Sequence, residues 1–352
     1  MLPGRPKAKR APAGGRTFRE ANERGGFNSP GPPQARPVSS GGSALHAVKS
    51  VGAPLVTRNG VGPSCVGLPA GPWRTITDFL VEHFPAISRE TWLARMALQQ
   101  VVDEFGGLVT PERTYPGHMR VYYYRDVPGE RVIPFEETVL FQDDHLVVAD
   151  KPHFLPVTPS GTYLQQTLLV RLKNRLNIDT LVPLHRIDRE TAGLVMFSVR
   201  PEDRNAYQLL FRQHRIQKHY EAIAPWRNDL THLVFPIVRQ TRIEEGKPFF
   251  RQHEVPGAPN SETHIDVLEI RGDLARYVLS PVTGKKHQLR VHMNALGLPI
   301  QNDRMYPPVA DTPADDFDRP LQLLARSVAF TDPVTGQARR FESQRRLAWP
   351  MI

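Results

Sequence analysis

The sequence predicts a mixed α+β fold, in which strands dominate, for the greater part of its 352 residues. From residue 135 onward, short apolar segments with strand character outnumber the helical ones, and the helices are inserted at irregular intervals. This pattern favours a mixed α+β domain over a regular alternation of strands and helices around a parallel sheet. Apolar residues make up 40% of the chain and charged residues 23%, so the composition suits a folded protein with a buried core.

The first 70 residues differ in composition from the rest of the chain. They hold ten Lys/Arg and only two Glu, together with ten Pro and twelve Gly, and they carry most of the formal net charge of +9. Such a segment cannot bury enough apolar surface to offset its chain entropy. We therefore predict a disordered basic tail over residues 1–70. It could tether the protein to a polyanion, form a solvated extension, or serve as an organellar transit peptide.

Residues 71–133 are predicted to form a small module of two short helices followed by a few strands. Thr75, with Asp78 three positions later, has the pattern of a capping box and begins the first helix. Ser88 is the expected N-cap of the second helix, in which apolar side chains share one face.

Residues 134–352 are predicted to form the larger domain that contains the main sheet. Strands are predicted at 138–141, 146–149, 192–199 and 275–280, and helices at 203–214 and 287–296. Apolar strands flank an Asp143-Asp144 turn, and Gly297 is placed to end the last of these helices.

Several classes of protein are excluded by what the sequence lacks. One cysteine, Cys65, excludes a disulfide framework and a cysteine-based zinc site, and fits a reducing compartment. No uncharged apolar run reaches about 18 residues, so we expect a cytoplasmic protein without a membrane span. Phosphate-binding, dinucleotide-binding and serine-nucleophile motifs are missing. The pairs His287/His292 and His214/His219 have a spacing of five, which is wrong for a helical zinc pair, so no metal or cofactor is expected.

The polar segment 183–193 leads directly into a predicted buried strand. Asp188 lies in this loop, where a rigid element can direct a side chain into a cleft. Arg186 and Arg189 flank the carboxylate and favour its charged form. Considered alone, Asp188 could be a catalytic carboxylate or an aspartate that ends a turn by bonding to its own backbone.

Two further segments are rich in basic residues. Residues 282–292 place Lys285 and Lys286 at a helix start, where backbone N–H groups favour anions. This pattern indicates either a phosphate or carboxylate site or a solvated basic helix end. Residues 212–220 combine basic side chains with Tyr220, which suits a nucleic-acid backbone with a stacked base or, equally, an exposed helix end.

Taken together and in this order, three segments resemble the motifs of the RluA-type pseudouridine synthases. Residues 185–193 (HRIDRETAG) resemble H-R-L-D-x-x-T-S-G, residues 218–220 resemble K-x-Y, and residues 283–292 (TGKKHQLRVH) are similar to T-G-R-T-H-Q-I-R-V-H. Weaker matches at 149–152 and 302–306 frame them. The resemblance spans roughly residues 135–345 and implies an α+β catalytic domain with a mixed, mainly antiparallel sheet. Residues 71–133 loosely resemble a small α/β RNA-binding module of the S4 type.

This resemblance implies an enzyme that isomerises uridine in RNA to pseudouridine, a redox-neutral reaction without a cofactor. Asp188 corresponds to the catalytic aspartate, Arg290 to the arginine that pairs with it in a bidentate manner, and Tyr220 to the tyrosine that lies against the target base. The residues expected to bind the substrate are His185, Arg186, Lys285, Lys286, His287 and Leu289.

The implied partner is structured RNA, either rRNA or tRNA, and the implied oligomeric state is a monomer. Within this family Arg186 resembles the residue that fills the space left by the extruded base, and His185 is expected to support its loop. The competing hypothesis is a catalytically silent RNA-binding or ribosome-assembly protein on the same fold. A DNA-binding module is disfavoured, because no helix-turn-helix or zinc-finger spacing occurs.

Overall fold

Two β-sheets organise the part of the chain that the structure describes. The computed structural model describes residues 54–226, 233–248, 250–307 and 316–349. These residues belong to one compact unit that begins at Val51. The helices formed by these residues lack the length and apolar character of a membrane span.

The smaller sheet has three antiparallel strands in the order β1-β3-β2. Its elements are β1 (Ser64–Leu68), α1 (Ile76–His83), α2 (Arg89–Ala97), β2 (Val101–Asp103) and β3 (Met119–Tyr123). The two helices pack against this sheet around a buried aromatic and aliphatic core.

The predicted caps of both helices are confirmed. The Thr75 side chain accepts a hydrogen bond from the Asp78 amide at 3.1 Å, and the Asp78 carboxylate accepts from the Thr75 amide at 3.2 Å. These reciprocal bonds satisfy backbone donors that the first turn leaves open. Ser88 likewise accepts from the Thr91 amide at 3.3 Å.

The prediction of disorder up to residue 70 is wrong for residues 54–70. Strand β1 pairs with β3 over its full length, and Leu68 is buried in the core of the small module. Arg58 and Val61 also form an isolated antiparallel bridge. The composition did not predict this strand, because backbone hydrogen bonds to β3 hold it in place and only one of its side chains is strongly buried. The rest of the predicted tail, residues 1–53, lies outside the described residues.

The larger sheet confirms the predicted mixed, mainly antiparallel architecture. Its strands are β4 (Thr138–Gln142), β5 (Leu146–Lys151), β6 (Val182–Pro183), β7 (Ala192–Ser198), β8 (Gln217–Pro225), β9 (Ile237–Glu245), β10 (Gln252–Val255), β11 (Ser261–Arg271), β12 (Leu274–Pro281), β13 (Leu323–Thr331) and β14 (Ala338–Glu342). They run in the order β10-β9-β11-β12-β8-β13-β7-β5-β4, with β14 on β13 and β6 on β7. Only the β7–β13 pair is parallel among the described strands.

Three helices accompany the larger sheet. They are α3 (Leu168–Leu176), α4 (Arg204–Arg212) and α5 (Gln288–Ala295). Helix α4 ends before the basic segment 212–220 is complete, and Tyr220 lies on β8, so this segment is not simply an exposed helix end. Lys285 and Lys286 lie in the turn before α5, close to the predicted helix start.

Gly193 is required where β7 and β13 approach each other. Its φ is +109°, and a Cβ at this position would lie 2.3 Å from the carbonyl oxygen of Ala325 and 2.7 Å from its nitrogen. Ala325 also pairs with Tyr220 on the other side of β13. The close approach at Gly193 therefore sets the spacing between the loop before β7 and the strand that carries Tyr220.

Replacing Gly193 by Ala is expected to lower the free energy of unfolding by about 3 kcal/mol or more, because backbone atoms cannot yield as a flexible side chain does. Chemical denaturation measures this change. Gly62→Ala is the matched control, since a Cβ there has nothing within 4 Å and the residue has no positive φ. Equal stability of the two variants would contradict this steric account.

Candidate active site

Asp188 lies in the loop that precedes β7, and hydrogen bonds to β7 fix this loop. The His185 ring nitrogen Nε2 accepts a hydrogen bond from the Met196 amide at 3.1 Å, and the Leu184 amide donates to the Met196 carbonyl at 2.9 Å. Within the turn, the Thr191 amide donates to the backbone carbonyl of Asp188 at 3.2 Å. The carbonyl of Asp188 thus closes the turn, and its carboxylate is directed to another partner.

That partner is Arg290, whose Nη1 lies 3.0 Å from Asp188 Oδ2. The predicted pairing is confirmed, but its bidentate geometry is wrong. The bidentate partner of Arg290 is Asp303, which accepts from Nε at 2.8 Å and from Nη2 at 2.7 Å. Asp303 follows α5 in a buried turn, where it faces the fork of the guanidinium and leaves one nitrogen for Asp188.

The charges around Asp188 keep its carboxylate ionised. Burial acts to raise the pKa of Asp188, but the charge and the hydrogen bond of Arg290 outweigh it and hold the pKa below its usual range. The side chain of Asp188 is 23% exposed, whereas that of Arg290 is 1% exposed. The site therefore presents a charged carboxylate to a cleft and places its cationic partner behind it.

A buried lysine supports the loop from the other side. Lys151 ends β5, and its Nζ donates to the carbonyls of Pro152 at 2.9 Å and Arg189 at 3.1 Å. Burial lowers the pKa of Lys151 to about 7, although Glu190 and Asp188 oppose this effect. Lys151 belongs to the weaker 149–152 match and was not among the predicted site residues.

Tyr220 and Lys218 project from β8 at alternate positions, so both side chains are on the same face of the strand. Burial, reinforced by the charge of Asp188, raises the pKa of Tyr220 above its usual value, so the phenol is protonated at neutral pH. Lys218 donates to the Thr283 carbonyl at 3.2 Å, and burial lowers its pKa to about 8. Lys218 belongs to the basic segment 212–220 and to the K-x-Y match, but it was not among the predicted site residues.

His287 faces Asp188 from the start of α5. Its Nε2 lies 3.7 Å from Asp188 Oδ1, and its Nδ1 lies 2.9 Å from the hydroxyl of Tyr306. Burial lowers the pKa of His287, which favours the neutral ring. Tyr306 and Asp303 both come from the 302–306 match, and neither was predicted as a site residue.

Together these side chains surround a cavity of about 110 Å³ that opens into a cleft of about 1020 Å³. Seven of the nine predicted site residues line the cavity, namely Arg186, Asp188, Tyr220, Lys285, His287, Leu289 and Arg290. The remaining two, His185 and Lys286, line the wider cleft. Burial lowers the pKa of His185 to about 3, so its ring is neutral and supports the loop through Met196.

The turn before α5 forms one wall of the cleft. Gln288 Oε1 accepts from the Lys285 amide at 3.0 Å and from the Thr283 hydroxyl at 2.7 Å, so side-chain bonds hold this turn. Gly284 has no positive φ, and a Cβ there would have nothing within 4 Å. The turn does not need glycine for its backbone, and Gly284 lines the cavity without adding a side chain to it.

Within the described ranges, no group of three or more His, Cys, Asp or Glu side chains could hold a metal ion.

Comparison with known proteins identifies the class to which this fold and site belong. The family model described as RNA pseudouridylate synthase matches residues 145–295. The dual-specificity RNA pseudouridine synthase RluA of Haemophilus influenzae is 31% identical over 211 residues, which cover 58% of this chain and 92% of that protein. The ribosomal large subunit pseudouridine synthase C of Vibrio vulnificus is 30% identical and is covered over 65% of its length.

Among solved structures, human RNA Pseudouridylate Synthase Domain Containing 4 is 25% identical, with a TM-score of 0.47 over 60% of this chain and 88% of that one. The chain belongs to the RluA-type family of RNA pseudouridine synthases. It is an isomerase that acts on RNA. The family match begins at residue 145, so the S4-type assignment of residues 71–133 stays a prediction.

Proposed function

We propose that this chain converts specific uridines to pseudouridine in structured RNA, either rRNA or tRNA, with Asp188 as its catalytic carboxylate. One observation carries the proposal: an ionised, partly exposed carboxylate sits in a cavity whose other walls include a phenol, a leucine and several cations. The relatives are named as dual-specificity RNA and ribosomal large subunit enzymes, and a mitochondrial relative from Saccharomyces cerevisiae as a tRNA pseudouridine(32) synthase. These names support rRNA and tRNA as the candidate substrates.

The reaction breaks the bond between ribose C1′ and uracil N1, turns the base, and joins C1′ to C5. The proton on C5 is lost and N1 gains one, so the product is an isomer of the substrate. Asp188 can form a covalent intermediate, which divides one difficult step into two, or it can take a proton from C2′ on the way to a glycal. Both routes require an ionised carboxylate, and the lowered pKa of Asp188 meets that requirement.

Neighbouring residues have matching roles in this proposal. The uridine must leave its stack to reach Asp188, at a cost of a few kcal/mol. Tyr220 lies against the extruded base, and its protonated hydroxyl can donate to it. Leu289 forms an apolar wall of the same cavity. Arg186 is exposed at the rim, where its planar guanidinium can stack in the space that the base leaves.

The rest of the cleft suits an RNA backbone. Lys218, Lys285 and Lys286 line it, and such cations neutralise phosphates without reading sequence. In this proposal, residues 71–133 add a second RNA contact, which the exposed side chains of Arg74 and Arg120 support. The protein is proposed to act as a monomer in the cytoplasm.

A pseudouridine map of cellular RNA, made by chemical labelling and reverse-transcription stops, tests this proposal. Cells with and without the gene are compared, and the deletion is complemented with the wild type or with Asp188→Ala. We expect a site in rRNA or tRNA that disappears on deletion and returns only with the wild type. If no site disappears, an assay of the purified protein on bulk RNA from the deletion strain decides. Lack of turnover there would favour a catalytically silent RNA-binding protein.

A further inference from the structure

His287 connects the candidate catalytic carboxylate to a part of the sheet outside the cavity. Its Nε2 lies 3.7 Å from Asp188 Oδ1, and its Nδ1 lies 2.9 Å from the Tyr306 hydroxyl. The residue has φ +57°, a left-handed conformation that histidine and asparagine adopt more readily than most residues. The side chain is 8% exposed. Backbone conformation, burial and a hydrogen bond therefore hold the ring in one place.

The hydrogen bonds of Tyr306 determine which nitrogen of His287 carries the proton. The Tyr306 hydroxyl accepts from the backbone amide of Gln252, on β10, at 2.7 Å. A phenol that accepts one bond still has a proton to donate, and His287 Nδ1 lies within reach as an acceptor. Donation from Tyr306 to Nδ1 places the imidazole proton on Nε2. In this tautomer the N–H of His287 faces Asp188.

Arg290 alone would leave the Asp188 carboxylate incompletely oriented. Arg290 contacts Oδ2, and the terminal torsion of an aspartate is broad when only one oxygen is held. The His287 N–H faces the other oxygen. At 3.7 Å this contact is longer than a hydrogen bond, and catalytic hydrogen bonds often shorten when substrate enters.

We propose that His287 is a positioning residue for Asp188, neutral and protonated on Nε2, and that the Tyr306 hydroxyl and the β10 backbone fix this tautomer. The inference rests on the proposed function, because it takes Asp188 as the catalytic carboxylate. His287 orients Oδ1 while Arg290 orients Oδ2, so the carboxylate meets the ribose or base in one orientation. The backbone amide of Gln252 takes part, whereas its side chain does not.

The tautomer is tested first, in a way that does not depend on turnover. Full-length enzyme labelled with ¹⁵N in its histidines is studied by NMR, and the His287 signals are assigned with a His287→Gln sample. We expect the Nε2–H tautomer in the wild type and a mixture of tautomers in Tyr306→Phe, which loses only the hydroxyl and keeps the ring near the Arg290 guanidinium. A wild-type ring protonated on Nδ1, or an unchanged tautomer in Tyr306→Phe, would overturn the proposal.

The second test compares two replacements of His287 itself. In His287→Gln the side-chain nitrogen reaches the place of Nε2, whereas in His287→Asn the amide oxygen takes the place of Nδ1 and nothing faces Asp188. We expect the Asn variant to lose roughly 10-fold or more in kcat with KM for RNA nearly unchanged, because a misplaced reacting group slows chemistry. The Gln variant should retain more of the wild-type kcat than the Asn variant.

Gln252→Ala is the matched control, since it keeps the backbone amide that bonds Tyr306, and it should leave both kcat and the tautomer unchanged. An Asn variant at least as active as the Gln variant would contradict the positioning role. Because the tautomer is read without turnover, failure of the Asp188 assignment and failure of this inference remain separate results.

Discussion

Replacing Asp188 by Ala is expected to reduce turnover by roughly 10⁴-fold or more while leaving RNA affinity nearly unchanged. The substitution removes the charged carboxylate that the cavity presents, but it leaves the surrounding cations in place. The fold should remain intact, because Arg290 keeps its two hydrogen bonds to Asp303. Tritium release from RNA labelled at C5 of uridine measures turnover, and filter binding measures affinity.

Two controls make this result specific. Asp188→Asn keeps the shape of the side chain but not its charge, and it should lose as much activity as the alanine variant. Asp144→Ala removes a carboxylate whose side chain is 81% exposed and which pairs with Arg200. Neither residue lines the cavity or the cleft, so this variant should behave as the wild type. Appreciable turnover by Asp188→Ala would refute the catalytic assignment.

The second large effect is expected at the Arg290–Asp303 pair. The side chains of these residues are 1% and 0% exposed, and Asp303→Asn would leave the buried Arg290 guanidinium with Asp188 as the remaining carboxylate of its two. Breaking a buried ion pair by removing one partner costs about 3–5 kcal/mol. We expect a loss of this size in the free energy of unfolding, together with loss of turnover.

The double variant Arg290→Met, Asp303→Asn separates stability from catalysis. It removes both charges of the buried pair, and the Asp188 carboxylate that loses its partner is 23% exposed. The amide oxygen of the introduced asparagine can still accept from the amides of Met305 and Tyr306, as Asp303 does at 2.8 and 3.0 Å. Chemical denaturation should show that much of the lost stability returns, whereas turnover should stay absent because Asp188 has lost its cationic partner. A double variant with wild-type activity would show that Arg290 has no part in orienting Asp188.

The sequence motifs predicted which residues share the cavity, although they lie far apart in the chain. Asp188, Tyr220 and Arg290 come from a loop, a strand and a helix, and central strands of the larger sheet bring them together. No single motif was sufficient, and the prediction came from the resemblance of three motifs, in this order, to one family. Their catalytic roles stay predictions.

Other features depend on tertiary contacts and escaped prediction. Asp303 is the bidentate partner of Arg290 only because the turn after α5 folds beneath the guanidinium, and a local pattern does not record that contact. Strand β1 exists because β3 offers it a backbone ladder, which composition cannot show. Gly193 and Gly284 look alike as motif glycines, yet backbone sterics require only Gly193.

The two carboxylates that contact Arg290, those of Asp188 and Asp303, have different parts in the proposed reaction. In the proposed reaction, Asp188 must give up its negative charge at some stage, whether it forms a bond to the substrate or takes a proton. If it were the sole partner of the guanidinium, that step would leave a lone cation in the protein interior, at a cost of several kcal/mol. Asp303 takes no part in the bond changes of this reaction and stays paired with the guanidinium. Asp303 thus allows Asp188 to change its charge without leaving Arg290 as an unpaired cation in the intermediate.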